Sequence, residues 1–131
     1  MKAIEISEFG VAKLAIVERP DPQPGPGQVL VRVRAVSLNF RDLMTVQGQY
    51  NPRQRLPLIP LSDGAGEVVA VGAGVRRFKP GDRVAAIFAQ KWLGGEATPA
   101  ARGSTLGGPG DGMAAELVAL DEDGLLAIPE H

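Results

Sequence analysis

Pro57-Leu58-Ile59-Pro60-Leu61-Ser62-Asp63-Gly64-Ala65-Gly66-Glu67-Val68-Val69-Ala70-Val71-Gly72-Ala73-Gly74 is the stretch on which the fold turns. Gly64-Ala65-Gly66 and Gly72-Ala73-Gly74 each begin like a dinucleotide-binding fingerprint. Neither supplies the third glycine, because Val69 and Arg77 stand in that place. Neither opens a helical pattern, and no strand–helix–strand unit surrounds them. They therefore read as a bulge and a hairpin turn at the two ends of one long apolar strand, residues 64–71. This chain carries no Rossmann unit of its own.

Outward from that strand the pattern stays β. Residues 2–6 and 12–18 are short strand-like runs separated by a turn at Gly10. Pro20, Pro22, Pro24 and Pro26 punctuate an extended, unpaired crossing, since each fixes φ and lacks an amide donor. Residues 28–36 alternate, with Val29, Val31, Val33 and Ala35 on one face and Arg32 and Arg34 on the other. Residues 83–89, 113–120 and 125–128 complete seven strands. One short helix is expected near 39–47. Asn39 is its N-cap, Asp42 stands at the third helical position, Phe40, Leu43 and Met44 form an apolar stripe, and Gly48 ends it. Phe40 should face the core with its edge near a cleft. Residues 90–112 contain Gly94-Gly95, Pro99 and Gly107-Gly108-Pro109-Gly110 and show no period; a loop this long is a functional lid or disordered. The sum is a mainly β fold, an antiparallel barrel or strongly bent sandwich.

Composition narrows the function classes. The chain has 131 residues, 17 glycines and 11 prolines, which excludes a helical bundle, and 44% hydrophobic residues, which excludes a disordered tract. Fourteen basic against 15 acidic residues give a net charge of −1. No basic surplus drives binding to nucleic acid or to an anionic membrane. There is no cysteine, and the single histidine is His131, read as a linker residue. Cysteine-ligated and histidine-rich metal sites are thereby excluded. Glu5 and the lack of an apolar leader point to a cytoplasmic protein, and no segment has the length to span a bilayer.

The order of short motifs is more specific than any one of them. Pro24-Gly25-Pro26-Gly27-Gln28-Val29 is followed by Ser37-Leu38-Asn39-Phe40-Arg41-Asp42, then Pro60-Leu61-Ser62-Asp63-Gly64-Ala65-Gly66-Glu67-Val68, Lys79-Pro80-Gly81-Asp82-Arg83-Val84 and Gly112-Met113-Ala114-Ala115-Glu116-Leu117-Val118. Over nearly its whole length the chain resembles the N-terminal, GroES-like catalytic domain of the medium-chain dehydrogenase/reductase family. The resemblance implies a partly open β-barrel over residues 1–131. It also implies a C-terminal Rossmann domain that would follow residue 131, and a homodimer formed through that domain.

In zinc-dependent members of the family the short helix begins with a cysteine ligand, and a Gly-His-Glu motif supplies a histidine. The matching places here are Asn39 and Leu61-Ser62-Asp63, with Asp42 retained. The four-cysteine structural lobe is also missing. The chain is therefore similar to the zinc-independent, quinone oxidoreductase branch, whose helix begins Asn-Phe-x-Asp with a tyrosine about a dozen residues on; Asn39, Phe40, Asp42 and Tyr50 fit. The resemblance implies NADPH, or NADH, as cofactor, held mainly by the missing domain, with Asn39, Phe40, Asp42 and Tyr50 on the cofactor side and no metal.

Without a Lewis acid, oxidising a simple alcohol lacks a means of stabilising the alkoxide. Reducing a quinone, enone or aldehyde asks less, because a few hydrogen-bond donors can hold the developing negative oxygen. Asn39, Tyr50 and Ser62 are the candidate catalytic donors. The Asn39 cap would use the side-chain oxygen and leave its NH₂ free. Structural roles stand beside these: Asn39 as a cap only, Asp42 as a helix-dipole partner, Ser62 and Asp63 as turn residues, and Trp92 as a loop anchor rather than a substrate cover. An alternative of a different class is a freestanding barrel acting as a partner-binding module, like the co-chaperonin of this fold, and another is a catalytically silent family member.

Overall fold

The computed structural model describes residues 1–130; His131 lies outside the described residues. Seven strands form, in chain order: β1 (Lys2–Ile6), β2 (Leu14–Glu18), β3 (Gln28–Ser37), β4 (Asp63–Val71), β5 (Arg83–Ala86), β6 (Leu117–Asp121) and β7 (Leu125–Ala127). Among the described residues two α-helices accompany them, α1 (Phe40–Val46) and the short α2 (Pro99–Arg102). β1 and β2 pair as a hairpin, and the other five strands make one sheet in the order β6-β3-β4-β5-β7. Every strand pairing among the described residues is antiparallel, as expected for a chain without a Rossmann unit.

β3 and β4 are the spine. Their register runs from Val29 opposite Val71 to Ser37 opposite Asp63, with irregularities between Leu30 and Val31 and between Val33 and Ala35. A bulge shifts which side chains face inward. Val29, Leu30 and Val31 are therefore all buried in succession, and Ala35 is exposed rather than continuing the inner face. Gly66 sits where the two backbones touch; a Cβ there would collide with the carbonyl of Arg32. The glycine of the sequence motif is thus a close-approach position.

Three apolar clusters fill the interior. One holds Val29, Val31, Val68, Phe78, Val84 and Leu125 inside the sheet. A second holds Ala3, Ile59, Leu61, Leu106, Met113 and Ala114 between β1 and the segments flanking the long loop. Ala86, Val118 and Leu120 pack against both, so the two are continuous. A third, Ile6, Val46 and Leu58, fastens α1 to β1, with Phe9 against it. At the barrel edge the buried Glu5 carboxylate is forked by the Arg19 guanidinium.

Some expected boundaries move. The run from residue 12 opens with a single 3-10 turn, Val11–Lys13, before β2. The strand expected to reach residue 89 ends at Ala86, and the one expected from 113 begins at Leu117, because Met113 and Ala114 instead bond back to Leu61 and Pro60. The segment 90–112 is not structureless. Thr98 caps α2 by accepting from the Ala101 N–H at 3.1 Å, Leu106 N–H donates to the Phe88 carbonyl at 3.1 Å, and Gln90 N–H donates to the Ser104 carbonyl at 3.2 Å. No helix among the described residues is long and apolar enough to cross a membrane.

Candidate active site at the start of helix α1

β3 ends at Ser37 and β4 begins at Asp63, directly across the ladder. The chain leaving β3 reaches Asn39 two residues later and turns into α1. The segment entering β4 delivers Ser62 and Asp63 to the same point. The antiparallel register therefore brings Ser37, Asn39, Ser62 and Asp63 together.

Asp42 holds the corner. It is buried, its Oδ2 accepts the Asn39 backbone N–H at 2.8 Å, and its Oδ1 accepts the Ser62 backbone N–H at 3.2 Å. The first bond is one half of a capping box and satisfies an amide ahead of the helix. Asp63 holds the side chains. Its Oδ2 accepts the Asn39 amide NH₂ at 2.6 Å and the Ser62 hydroxyl at 2.9 Å. The Asn39 Oδ1 in turn accepts the Ser37 hydroxyl at 3.0 Å, which orients the amide.

This differs from a free Asn39 NH₂ and an open Ser62 donor. One Asn39 N–H is committed to Asp63, and the other has only the long 3.4 Å approach to Ser62 Oγ. Ser62 is 3% exposed and its proton is directed at a carboxylate. Asp63 is thus a member of the cluster rather than a plain turn residue.

Leu61, just before Ser62, has φ 77°, the left-handed region, although it carries a Cβ. Such a residue costs on the order of 1 kcal/mol or more and persists only where surroundings compel it. Here the compulsion is burial in the second apolar cluster and the Met113 N–H bond to its carbonyl at 2.8 Å.

The helix faces invert the expected stripe. Asp42, Thr45 and Val46 are the buried residues of α1, whereas Phe40 is 76% exposed and Leu43 is also exposed. Phe40 does not face the core. The inward places are taken by Asp42, Thr45 and Val46, so Phe40 and Leu43 of the expected stripe are left on the surface, as is Leu38, while Met44 is half-buried.

Tyr50 lies beyond the other end of α1, half exposed. It lines a cavity of ≈ 540 Å³ with Thr45, Phe88, Trp92, Thr105 and Pro109. Asn39 and Asp42 instead border a smaller apolar hollow of ≈ 240 Å³ with Ile4, Leu14, Leu43 and Pro60. α1 separates the two, so this chain alone does not place Asn39 and Tyr50 in one cavity. Trp92 contributes its ring to the larger cavity, and its indole N–H donates to the Gly95 carbonyl at 3.0 Å, closing its own turn.

A residue with no sequence signal joins these parts. The Arg41 guanidinium lies over the Tyr50 ring at 4.6 Å and the Phe88 ring at 4.7 Å, and donates to the carbonyls of Leu106 and Gly108. Its partners are 65 and 67 residues away, out of reach of any local pattern.

For zinc, the donor set at the helix start is an amide, a hydroxyl and carboxylates, all hydrogen-bonded to one another. Among the described residues no three histidine, cysteine, aspartate or glutamate side chains converge as a metal would require.

Comparison with known proteins places this geometry. The profile of the alcohol dehydrogenase GroES-like domain matches residues 25–130. A zinc-type alcohol dehydrogenase-like protein of Schizosaccharomyces pombe is 39% identical over 127 residues, covering 97% of this chain and 36% of that protein. A chloroplastic quinone oxidoreductase of Triphysaria versicolor is 39% identical over 140 residues, covering 100% of this chain and 43% of that protein. A solved NAD-dependent alcohol dehydrogenase superposes with a TM-score of 0.83 at 32% identity, over 99% of this chain and 40% of its own. The chain thus spans about two fifths of the length of such relatives. With an antiparallel β fold, no Rossmann unit and a match over most of its length, it belongs to the medium-chain dehydrogenase/reductase family as an alcohol dehydrogenase GroES-like domain.

Proposed function

We propose that this chain is the catalytic-domain half of a zinc-independent NAD(P)H-dependent oxidoreductase that reduces a quinone, enone, aldehyde or ketone by hydride transfer. The observation that carries the reading is the cluster at the start of α1. Where the zinc-dependent pattern asks for thiolate and imidazole, Asn39 and Ser62 are hydrogen-bonded to Asp63 and Asp42. An amide and a hydroxyl already satisfied in this way do not fit a tetrahedral zinc site.

The nicotinamide, NADPH or NADH, supplies the hydride when bound. It would be held mainly by a Rossmann domain of the same protein, as the NAD-dependent relative supports. Asn39, its amide oriented by Asp63 and Ser37, stands at the start of α1 on the cofactor side. Phe40 and Leu38 offer an exposed apolar surface for the flat ring and its surroundings. Asp42 acts from within, by fixing the Asn39 and Ser62 backbone. Tyr50 is the donor best placed for the developing oxyanion, since its phenol is half exposed beside the ≈ 540 Å³ cavity. Ser62 contributes by holding Asp63. A cytoplasmic homodimer completes the proposal.

The test uses the intact protein, freed of metal by chelation, with NADPH or NADH against quinones, enones, aldehydes and ketones. Turnover that survives chelation supports the reading; turnover restored only by Zn²⁺ overturns its zinc-independent part. Tyr50→Phe should lower kcat about tenfold to a hundredfold, as for loss of one oxyanion donor. An unchanged kcat removes Tyr50 from that role.

A further inference from the structure

Four arginines illustrate two ways of using the charge. Arg19 pairs with Glu5, Arg34 with Glu67 and Arg77 with Asp123. Arg41 has no carboxylate within ion-pair distance among the described residues. Its guanidinium lies over the Tyr50 ring and over the Phe88 ring, with 3.2 Å from Nη1 to the Leu106 carbonyl and 2.6 Å from Nη2 to the Gly108 carbonyl. Its Nε is buried without a partner. The surroundings are equally ordered. Gly108 has φ 130°, its carbonyl also accepts the Thr105 hydroxyl at 2.6 Å, and Gln54 Nε2 donates to the Pro109 carbonyl at 3.2 Å.

A planar, delocalised cation can meet two aromatic rings and still direct two N–H groups at two carbonyls. Lysine offers the charge but not the fork. The arrangement therefore fixes geometry rather than neutralising charge. It ties the second residue of α1 to Tyr50, to Phe88 just beyond β5 and to the 105–109 turn, and these same pieces form one wall of the larger cavity.

We propose that Arg41 is a positioning residue, which holds the Tyr50 ring and the 105–109 turn as one rigid wall so that the Tyr50 phenol meets the substrate oxygen in a single place. This rests on the reading of Tyr50 as the oxyanion donor. Arg41 touches neither substrate nor cofactor in this scheme and acts through Tyr50.

A double-mutant cycle in the intact enzyme separates that role from general support of the fold. Arg41→Met should lower kcat about tenfold and raise the KM of the electron acceptor several-fold, with the nicotinamide Kd unchanged. In a Tyr50→Phe background the same substitution should lower kcat less than about twofold, because the group it positions is gone. Arg41→Lys should resemble Met rather than restore the wild-type kcat. Equal losses in both backgrounds, or full rescue by Lys, overturn the proposal.

A second readout does not depend on turnover. Tyr50 is the only tyrosine of this chain. In the chain described here, Arg41→Met should shift its ring proton and carbon signals. It should also raise amide exchange at least tenfold at Leu106 and Gly108, whose N–H groups are hydrogen-bonded to Phe88 and Gly110. Should Arg41→Met fail to fold, Arg41→Gln serves in its place. If the intact wild type reduces no acceptor, the oxidoreductase reading falls by itself. Arg41 is then judged on these signals, and unchanged spectra and exchange overturn its assignment.

Discussion

The β3–β4 ladder and helix α1 are neighbours in sequence and in space, yet they obey opposite rules. Along the ladder, apolar residues go in: Val29, Val31 and Val68 are almost fully buried, and Gly66 is where the backbones meet. On α1, Asp42 and Thr45 go in beside Val46, and Phe40 and Leu43 stay out. Hydrophobic patterning predicts burial only when the surface that does the burying belongs to the same chain. The ladder's apolar residues are covered by other parts of this chain, whereas α1 turns Asp42 into a hydrogen-bonded cluster and Val46 into the third apolar cluster and leaves Phe40 and Leu43 exposed.

The sharpest way to break the contrast is Gly66→Ala. One methyl group forced against the Arg32 carbonyl should cost about 4 kcal/mol, the extreme of the range for single substitutions, read as a fall in the urea midpoint at constant m-value. Asp42→Ala follows at about 3 kcal/mol, because it removes half of the capping box and leaves the buried Ser62 N–H without a partner. If Asp42→Ala were neutral, the polar face of α1 would be decoration rather than support.

Acid gives a smaller effect at two turns of the β region. The Lys79 ammonium and then the Lys79 amide, both bonded to Asp82, hold its carboxyl below the usual range. The amides of Arg77 and Arg76 do the same for Glu122. A carboxyl with a lowered folded pKa stabilises the protein above its unfolded value and loses that contribution as pH falls through the folded one. The urea midpoint should therefore decline below about pH 4, and Glu122→Gln should flatten that decline. An unaltered pH profile in the variant would remove this turn from the account.

The smallest effect should be Phe40→Ser. An aromatic ring lost from an exposed position should change the stability of this chain by less than about 0.5 kcal/mol. In the intact enzyme the same change should raise the nicotinamide KM. A large loss of stability would mean that the apolar face of α1 is supported within this chain after all.

Much of this was legible from residue order. The strand set, the helix bounded by Asn39 and Gly48, and the demotion of both Gly-Ala-Gly triplets follow from local rules, since turns, caps and alternation are near-neighbour effects. Asn39, Asp42, Ser62 and Asp63 could be singled out by motif. What they bond to could not, because the Ser37–Asp63 register that gathers them depends on a bulge between Val33 and Ala35. Arg41 was invisible for a related reason. Its role exists only after the 105–109 turn has folded back across α1. The ordered base of the long loop, through Gln90–Ser104 and Phe88–Leu106 bonds, is likewise a product of pairing at a distance.

The larger cavity has an optical consequence. This chain holds one tryptophan and one tyrosine, and both Trp92 and Tyr50 line that space. Its near-ultraviolet absorbance and intrinsic emission, phenylalanine aside, therefore arise at a single address. A molecule entering there would change Trp92 emission and energy transfer from Tyr50 together, so occupancy can be followed by light without a label. A perturbation elsewhere in the barrel would leave the same signal dark.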